Sequence, residues 1–193
     1  DKGYILTTQN GNTFFEDTII MTTPANISAT LLAQAYPKLG ALLNKILHQS
    51  MASVHFLIST KSIKNPLEST GVIISREDQK SISACSWSSI KWSGRAKKET
   101  VLVRAFVRKR NYLNKSDQEL ISHAWADISD VMNISDKPLN QHIYRWNNCM
   151  PVYGMSHMET INQIDALTAD KSLYFLGASF RGVGVGSCIS NAH

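Results

Sequence analysis

Between Met51 and Val107 apolar residues recur at every second position. Val54, Phe56 and Ile58 alternate with Ser53, His55 and Leu57, and Gly71–Ser75, Ser81–Trp87 and Val101–Val107 continue the series across polar turns such as Arg76-Glu77-Asp78-Gln79. A period of two puts one set of side chains on a single face of a pleated strand, so this stretch predicts an antiparallel sheet with one buried side. The period then changes. Ser116-Asp117-Gln118-Glu119 has the spacing of a capping box, in which the serine accepts from the glutamate amide while the glutamate side chain reaches back. After it Leu120, Ile121, Ala124, Ile128, Val131 and Met132 define the apolar face of a helix able to cover the sheet.

The flanks read differently. Tyr4–Thr8 and Thr13–Phe15 predict a hairpin around Asn10-Gly11, a type I′ turn signal. Thr18–Met21 is a short β-branched run stopped by Thr22-Thr23-Pro24, followed by helical spacing at Ile27, Leu31, Leu32 and Ala35. Pro37 opens a second helical pattern through Leu42, Leu43, Ile46 and Leu47. Past the central stretch, a strand near Gln141–Trp146, a helix near Met158–Leu167 and a strand at Leu173–Leu176 complete the chain. The fold class expected is α+β: an antiparallel, mixed sheet with flanking helices, and segments at both ends suited to the margin of an α/β sheet.

Composition narrows the function classes. Of 193 residues 43% are hydrophobic, enough to offset the ordering entropy of a packed core, so a disordered or low-complexity chain is excluded. No apolar run approaches the length of about 20 residues that spans a bilayer. Cys85, Cys149 and Cys188 are scattered and odd in number, so neither a disulfide framework nor a metal knuckle is expected, and a reducing cytoplasm is the default. Cys85 and Cys188, in apolar surroundings, read as small core residues. The net charge of +5 does not demand a nucleic-acid partner, but its distribution is uneven. Lys91, Arg95, Lys97, Lys98, Arg104, Arg108, Lys109 and Arg110 are opposed only by Glu99. Such a run is either an anion-attracting field or a solvated, aggregation-resistant edge.

The segment richest in chemistry is Leu173–Ile189, where an apolar strand enters a loop with Gly177, Gly182, Gly184 and Gly186 and then a helix expected near Ser187. Glycines let a backbone approach a ligand, and free amides at a helix start favour an anionic or electron-accepting group; the same layout also occurs as a plain structural turn. His157 reads as a ligand-orienting residue, a helix cap or a structurally bonded histidine. Trp87, Trp92 and Trp146 read as walls for a flat ligand or as packing residues.

These motifs, in order, resemble a family. Gly71–Arg76, Ala84–Ser89, Lys91-Trp92, Arg145-Trp146, Met150–Tyr153, His157 and Gly177–Gly184 are similar to the C-terminal part of the flavin-dependent porphyrinogen oxidases, above all the coproporphyrinogen III oxidases of Gram-positive bacteria. The resemblance covers nearly the whole chain. It implies FAD on an N-terminal dinucleotide fold, a sheet-based domain over a tetrapyrrole substrate, and oxidation of coproporphyrinogen III to coproporphyrin III, or protoporphyrinogen IX to protoporphyrin IX, in heme biosynthesis. Molecular oxygen is the acceptor, hydrogen peroxide is released, and three two-electron steps complete the reaction. The implied division is residues 1–35 as a return segment of the FAD domain, 36–145 as the substrate domain and 146–193 as a second return.

By the same resemblance the flavin contacts fall at Val183, Gly184 and Val185, with Gly182 supporting the turn. Arg95 and Arg104 are the candidates for substrate propionates, since arginine matches a carboxylate in two-point contact. Arg108-Lys109-Arg110, unusual for the family, reads as surface charge. No metal or nucleic acid is implied, no catalytic side chain is assigned, the location implied is cytoplasmic, and membrane contact is at most peripheral. The chain also departs from the family. Val185-Gly186-Ser187-Cys188 lacks the usual proline and aspartate, leaving Ser187 to cap the helix; Val152 replaces a glutamine, and Met155-Ser156 precedes His157 where Val-Gly is usual. The G-x-G-x-x-G fingerprint for a dinucleotide is absent, and the sequence opens without Met. The chain is therefore expected to be a piece of a longer protein, inactive and without FAD when isolated. The competing readings are a non-catalytic porphyrin- or anion-binding module and, resting on Lys91–Arg110 alone, a nucleic-acid binder.

Overall fold

A computed structural model describes residues 3–64 and 66–192; Asp1, Lys2, Asn65 and His193 lie outside the described residues. In chain order the elements are β1 (Tyr4–Thr7), β2 (Thr13–Glu16), β3 (Ile19–Met21), α1 (Ala25–Leu32), α2 (Pro37–Leu43) and β4 (Leu47–Ser59). A 3-10 turn at Thr60–Ser62 leads to β5 (Gly71–Ile73), β6 (Ile82–Trp87), α3 (Ser88–Lys91), β7 (Thr100–Val107), α4 (Arg110–Leu113) and α5 (Asp117–Met132). The chain ends with β8 (Asn140–Val152), α6 (His157–Thr168), β9 (Leu173–Phe175) and α7 (Val185–Ser190).

Two compact units form, one from residues 1–49 and 149–193 and the other from residues 50–148. In the central unit the strand order is β5-β6-β7-β4-β8, with β4/β7, β5/β6 and β6/β7 antiparallel. The alternation expected from sequence is obeyed: Ala52, Val54, Phe56 and Ile58 of β4 and Val101, Val103, Ala105 and Val107 of β7 are buried on one face. A bulge between Ile82 and Ala84 inserts one residue into β6, and this lets Ile82 as well as Cys85 and Trp87 face the core despite their mixed parity. Helix α5 covers that face with Leu120, Ala124, Ile128 and Met132, and Trp125 meets the Phe56 ring at 5.0 Å. Its capping box is formed as expected, and Asn133 ends it in the left-handed conformation.

The terminal unit has a core of Ala25, Ala29, Leu32, Leu39, Leu43, Ile161, Ile164 and their neighbours, contributed by α1, α2 and α6. Because α2 buries Leu39 and Leu43 there, residues 36–49 belong with the chain ends, whereas the sheet domain was expected to start at residue 36. Strands β3 and β9 pair in parallel, Ile19 opposite Leu173. The β1/β2 hairpin forms, but not with the expected type I′ turn. Its loop runs from Thr8 to Asn12 with Thr8 N–H donating to the Asn12 carbonyl at 2.9 Å, and of Asn10 and Gly11 only Gly11 has positive φ. Among the described residues no helix is long and apolar enough to cross a membrane.

Candidate functional site

The glycine-rich bend lies in the terminal unit. After β9, Ser179 is buried and its hydroxyl accepts from the Ala25 amide at 3.0 Å, capping α1, whose own N-cap is Pro24 without a side-chain cap. His48 completes this contact: its Nδ1 sits 2.9 Å from the Ile46 carbonyl, which can only accept, so Nε2 is free to accept from Ser179 Oγ at 3.0 Å. Further on, Arg181 pairs with Asp165, and Asn191 Nδ2 donates to the Arg181 carbonyl at 2.9 Å. Gly182 has φ of 141°, and a Cβ there would stand 2.6 Å from Ser187 Cβ, so a side chain is excluded on both counts.

Val183, Gly184 and Val185, the expected flavin contacts, follow Gly182 here, with Val183 and Val185 exposed at 55% and 78%. Among the described residues the amides of Val183 and Gly184 find no protein acceptor. Helix α7 begins at Val185, earlier than expected, with Gly184 as N-cap; Ser187 lies inside the helix, packed toward Gly182, and does not cap it. Cys188 is half-buried and its thiol donates to the Gly182 carbonyl at 3.4 Å, so it braces the bend instead of filling a core. His157 is structurally bonded, through Nε2 to the Phe180 carbonyl at 2.6 Å.

The second site is the solvent-side face of the central sheet. Strand alternation that sends Phe56 and Val103 inward sends His55 and Arg104 outward, and the register sets Ser86, Arg104 and His55 in one row across β6, β7 and β4. Helix α3, pinned by Ser89 Oγ accepting from the Leu102 amide at 3.0 Å, brings Lys91, Trp92 and Arg95 to the edge of this row. The result is a concavity of about 220 Å³ lined by His55, Ser86, Lys91, Trp92, Arg95 and Arg104. Arg95 and Arg104, separated in sequence, thus share one wall. Of the basic run only Lys91, Arg95 and Arg104 line it; Lys109 instead donates to the Lys80 carbonyl at 2.7 Å.

Electrostatically this hollow is lined by cations. Among the described residues Lys91, Arg95 and Arg104 have no carboxylate within ion-pair distance. Their close neighbours are aromatic: Arg104 lies 4.7 Å from the Phe106 ring centroid and Lys91 5.7 Å from that of Trp92, contacts that hold a cation without neutralising it. Burial, then Arg104, then His142 push the His55 imidazole below its ordinary range, so it stays neutral at pH 7. Its Nε2 is 3.3 Å from Ser53 Oγ, and Trp146 Nε1 donates to the same oxygen at 3.4 Å. Trp92 is 59% exposed and offers an open flat surface, whereas Trp87 is buried core. Trp92 takes the place of a ligand-flanking wall that the sequence offered, and Lys91 belongs to the basic run, but His55 carries no sequence signal of its own for this site; the period-two pattern that puts Phe56 inside could have placed His55 opposite it. Burial raises the Cys85 thiol to about 11, so no thiolate is available there at neutral pH. Among the described residues no group of three His, Cys, Asp or Glu could hold a metal ion.

The central sheet unit is continuous in sequence, and the segments before and after it join through the parallel β3/β9 pair. The sequence matches the flavin containing amine oxidoreductase family over residues 1–193, and the chain belongs to that family. It is 34% identical to coproporphyrinogen III oxidase of Bacillus subtilis over 96% of this chain and 40% of that protein. It is 33% identical to coproporphyrinogen III oxidase of Staphylococcus aureus over 73% of this chain and 31% of that protein. A crystal structure from Exiguobacterium sp. 255-15, provisionally named a protoporphyrinogen oxidase, superposes with a TM-score of 0.80 at 25% identity, covering 100% of this chain and 42% of that one. The chain thus spans about two fifths of the length of the Bacillus and Exiguobacterium proteins.

Proposed function

We propose that this chain supplies the substrate-facing sheet and the last flavin-facing bend of an FAD-dependent, oxygen-consuming porphyrinogen oxidase of heme biosynthesis. The overall change is removal of six hydrogens from a colourless porphyrinogen, with three molecules of oxygen reduced to three of hydrogen peroxide, giving coproporphyrin III from coproporphyrinogen III. One observation carries the reading: an exposed tryptophan beside three cations that lack carboxylate partners among the described residues is the complement of a flat macrocycle edged with propionates. Arg95 and Arg104 would take carboxylates, Lys91 would add a point charge, and neutral His55 would donate or accept beside them. Arginine forks fix the orientation of the ring edge as well as its charge.

The bend fits a flavin because Gly182, Gly184 and Gly186 present no side chains there and the amides of Val183 and Gly184 find no acceptor among the described residues. Bound there, FAD would accept electron pairs from the macrocycle and pass them to oxygen. The parallel β3/β9 pair supports the same reading: parallel strands are ordinarily covered on both faces within larger sheets, yet Ile20 and Tyr174 are 57% and 55% exposed. The rest of the dinucleotide fold would come from further polypeptide. The test is direct. The complete protein that carries this segment, once purified, should be yellow, should make coproporphyrinogen fluorescent in air, and should release three peroxides per porphyrin. Porphyrin binding without a flavin spectrum or fluorescence gain would point instead to a non-catalytic porphyrin-binding module.

A further inference from the structure

The bend is held by one stacked pair of side chains. Tyr153 and His157 straddle the start of α6, with ring centroids 4.0 Å apart and planes within 14°. The Tyr153 hydroxyl accepts from the Gly182 amide at 2.8 Å and donates to the Ala178 carbonyl at 2.5 Å. Buried His157 donates from Nε2 to the Phe180 carbonyl at 2.6 Å; because a carbonyl only accepts, the ring proton must sit on Nε2. Alternate residues of the bend, 178, 180 and 182, are therefore tied to a single stacked pair at the entry to α6.

This matters because a glycine-rich loop has much conformational freedom to lose. Ordering backbone residues costs conformational entropy, and a ligand that must do the ordering binds correspondingly more weakly. Resting on the reading that the bend faces FAD, we propose that Tyr153 and His157 are positioning residues for the flavin: by holding Gly182 in its positive-φ conformation they preset the amides of Val183 and Gly184 before the cofactor arrives.

The complete protein, stripped of flavin and titrated with FAD by fluorescence quenching, tests this. Tyr153→Phe keeps the stacked ring and removes only the hydroxyl; it should weaken FAD by about tenfold and alter the visible flavin bands, with the melting temperature of the flavin-free protein nearly unchanged. His157→Leu should weaken FAD similarly, while His157→Gln, which keeps an N–H donor, should recover most of the affinity. Wild-type affinity and an unaltered spectrum in Tyr153→Phe and His157→Leu would overturn the positioning role and leave the oxidase reading standing. A wild-type protein that takes up no flavin would overturn both.

Discussion

Arg104 shows how one position acquires meaning from its neighbours. It sits outward on β7 between Ser86 and His55, over the Phe106 ring and without a carboxylate partner among the described residues. A lost charged contact is worth about 1.5–3 kcal/mol, so Arg104→Ala in the complete protein should raise KM for a tetracarboxylate porphyrinogen by about tenfold or more, and less for a dicarboxylate one. Equal increases on both would remove Arg104 from the carboxylate site. His55 carries a second prediction. Its imidazole is held below the ordinary value of 6.5 by burial first, then by Arg104 and His142. Protonation is thus harder in the folded chain than in the unfolded one, and the stability present above about pH 6.5 should be lost as pH falls from there toward the folded-state value. Burial lowers His48 too, against its bond to the Ile46 carbonyl, and works in the same direction. The urea midpoint, followed by tryptophan fluorescence, should drop between pH 7.5 and 5.5, and His55→Gln should flatten part of that slope. An identical slope in wild type and variant would refute the assignment. Arg95 and Arg104 could be named from residue type, but their convergence could not, because it depends on register and on the turn of α3.

Among the elements, α5 and β6 are joined by a contact with no sequence signature. Asp127 Oδ2 accepts from the Ser81 amide at 2.6 Å, from the Ile82 amide at 3.2 Å and from the Ser81 hydroxyl. It thereby fastens the sheet-covering helix to the start of the bulged strand. Asp127→Ala should cost about 3 kcal/mol in urea unfolding, and Asp127→Asn, which retains an acceptor oxygen, clearly less. A loss below 1 kcal/mol for the alanine variant would show that the bulge supports itself. Most elements were legible where local rules act alone: the capping box of α5, Pro37 at the first position of α2, and the alternation of β4 and β7. The departures are tertiary. Ser179 caps α1 from the far end of the chain, Ser187 is drawn into α7 against Gly182, and Ile82 faces inward only because β6 bulges. At β5 the backbones approach so closely that a Cβ on Gly71 would lie 2.3 Å from the Cys85 carbonyl oxygen.

On the scale of the whole molecule, the chain leaves one core and later returns to it. The unit of residues 50–148 is continuous in sequence and has its own core around Phe56, Val103 and Ile128, whereas the terminal unit needs both residues 1–49 and 149–193, which meet at the β3/β9 pair. Residues 50–148 expressed alone should therefore unfold cooperatively in urea with the buried Trp87 reporting the transition, and residues 1–49 alone should show none. A broad, non-cooperative change in the 50–148 piece would mean that its core depends on the flanking segments. The separate core of that unit favours the first outcome, since α5 packs Leu120, Ala124, Ile128 and Met132 on the inward face of the sheet.

Hydrophobic period, capping pairs and proline positions determined the kinds and order of the longer elements, though not the short α3 and α4, because those signals act within a few residues of chain. The family, too, was readable from motif order. Only the tertiary structure decided that Lys91, Trp92, Arg95 and Arg104 share a hollow with His55, and that Tyr153 and His157 grip the glycine bend. Such meetings join residues far apart in sequence, and whether they occur depends on strand register and helix placement, quantities set by the packing of the whole core.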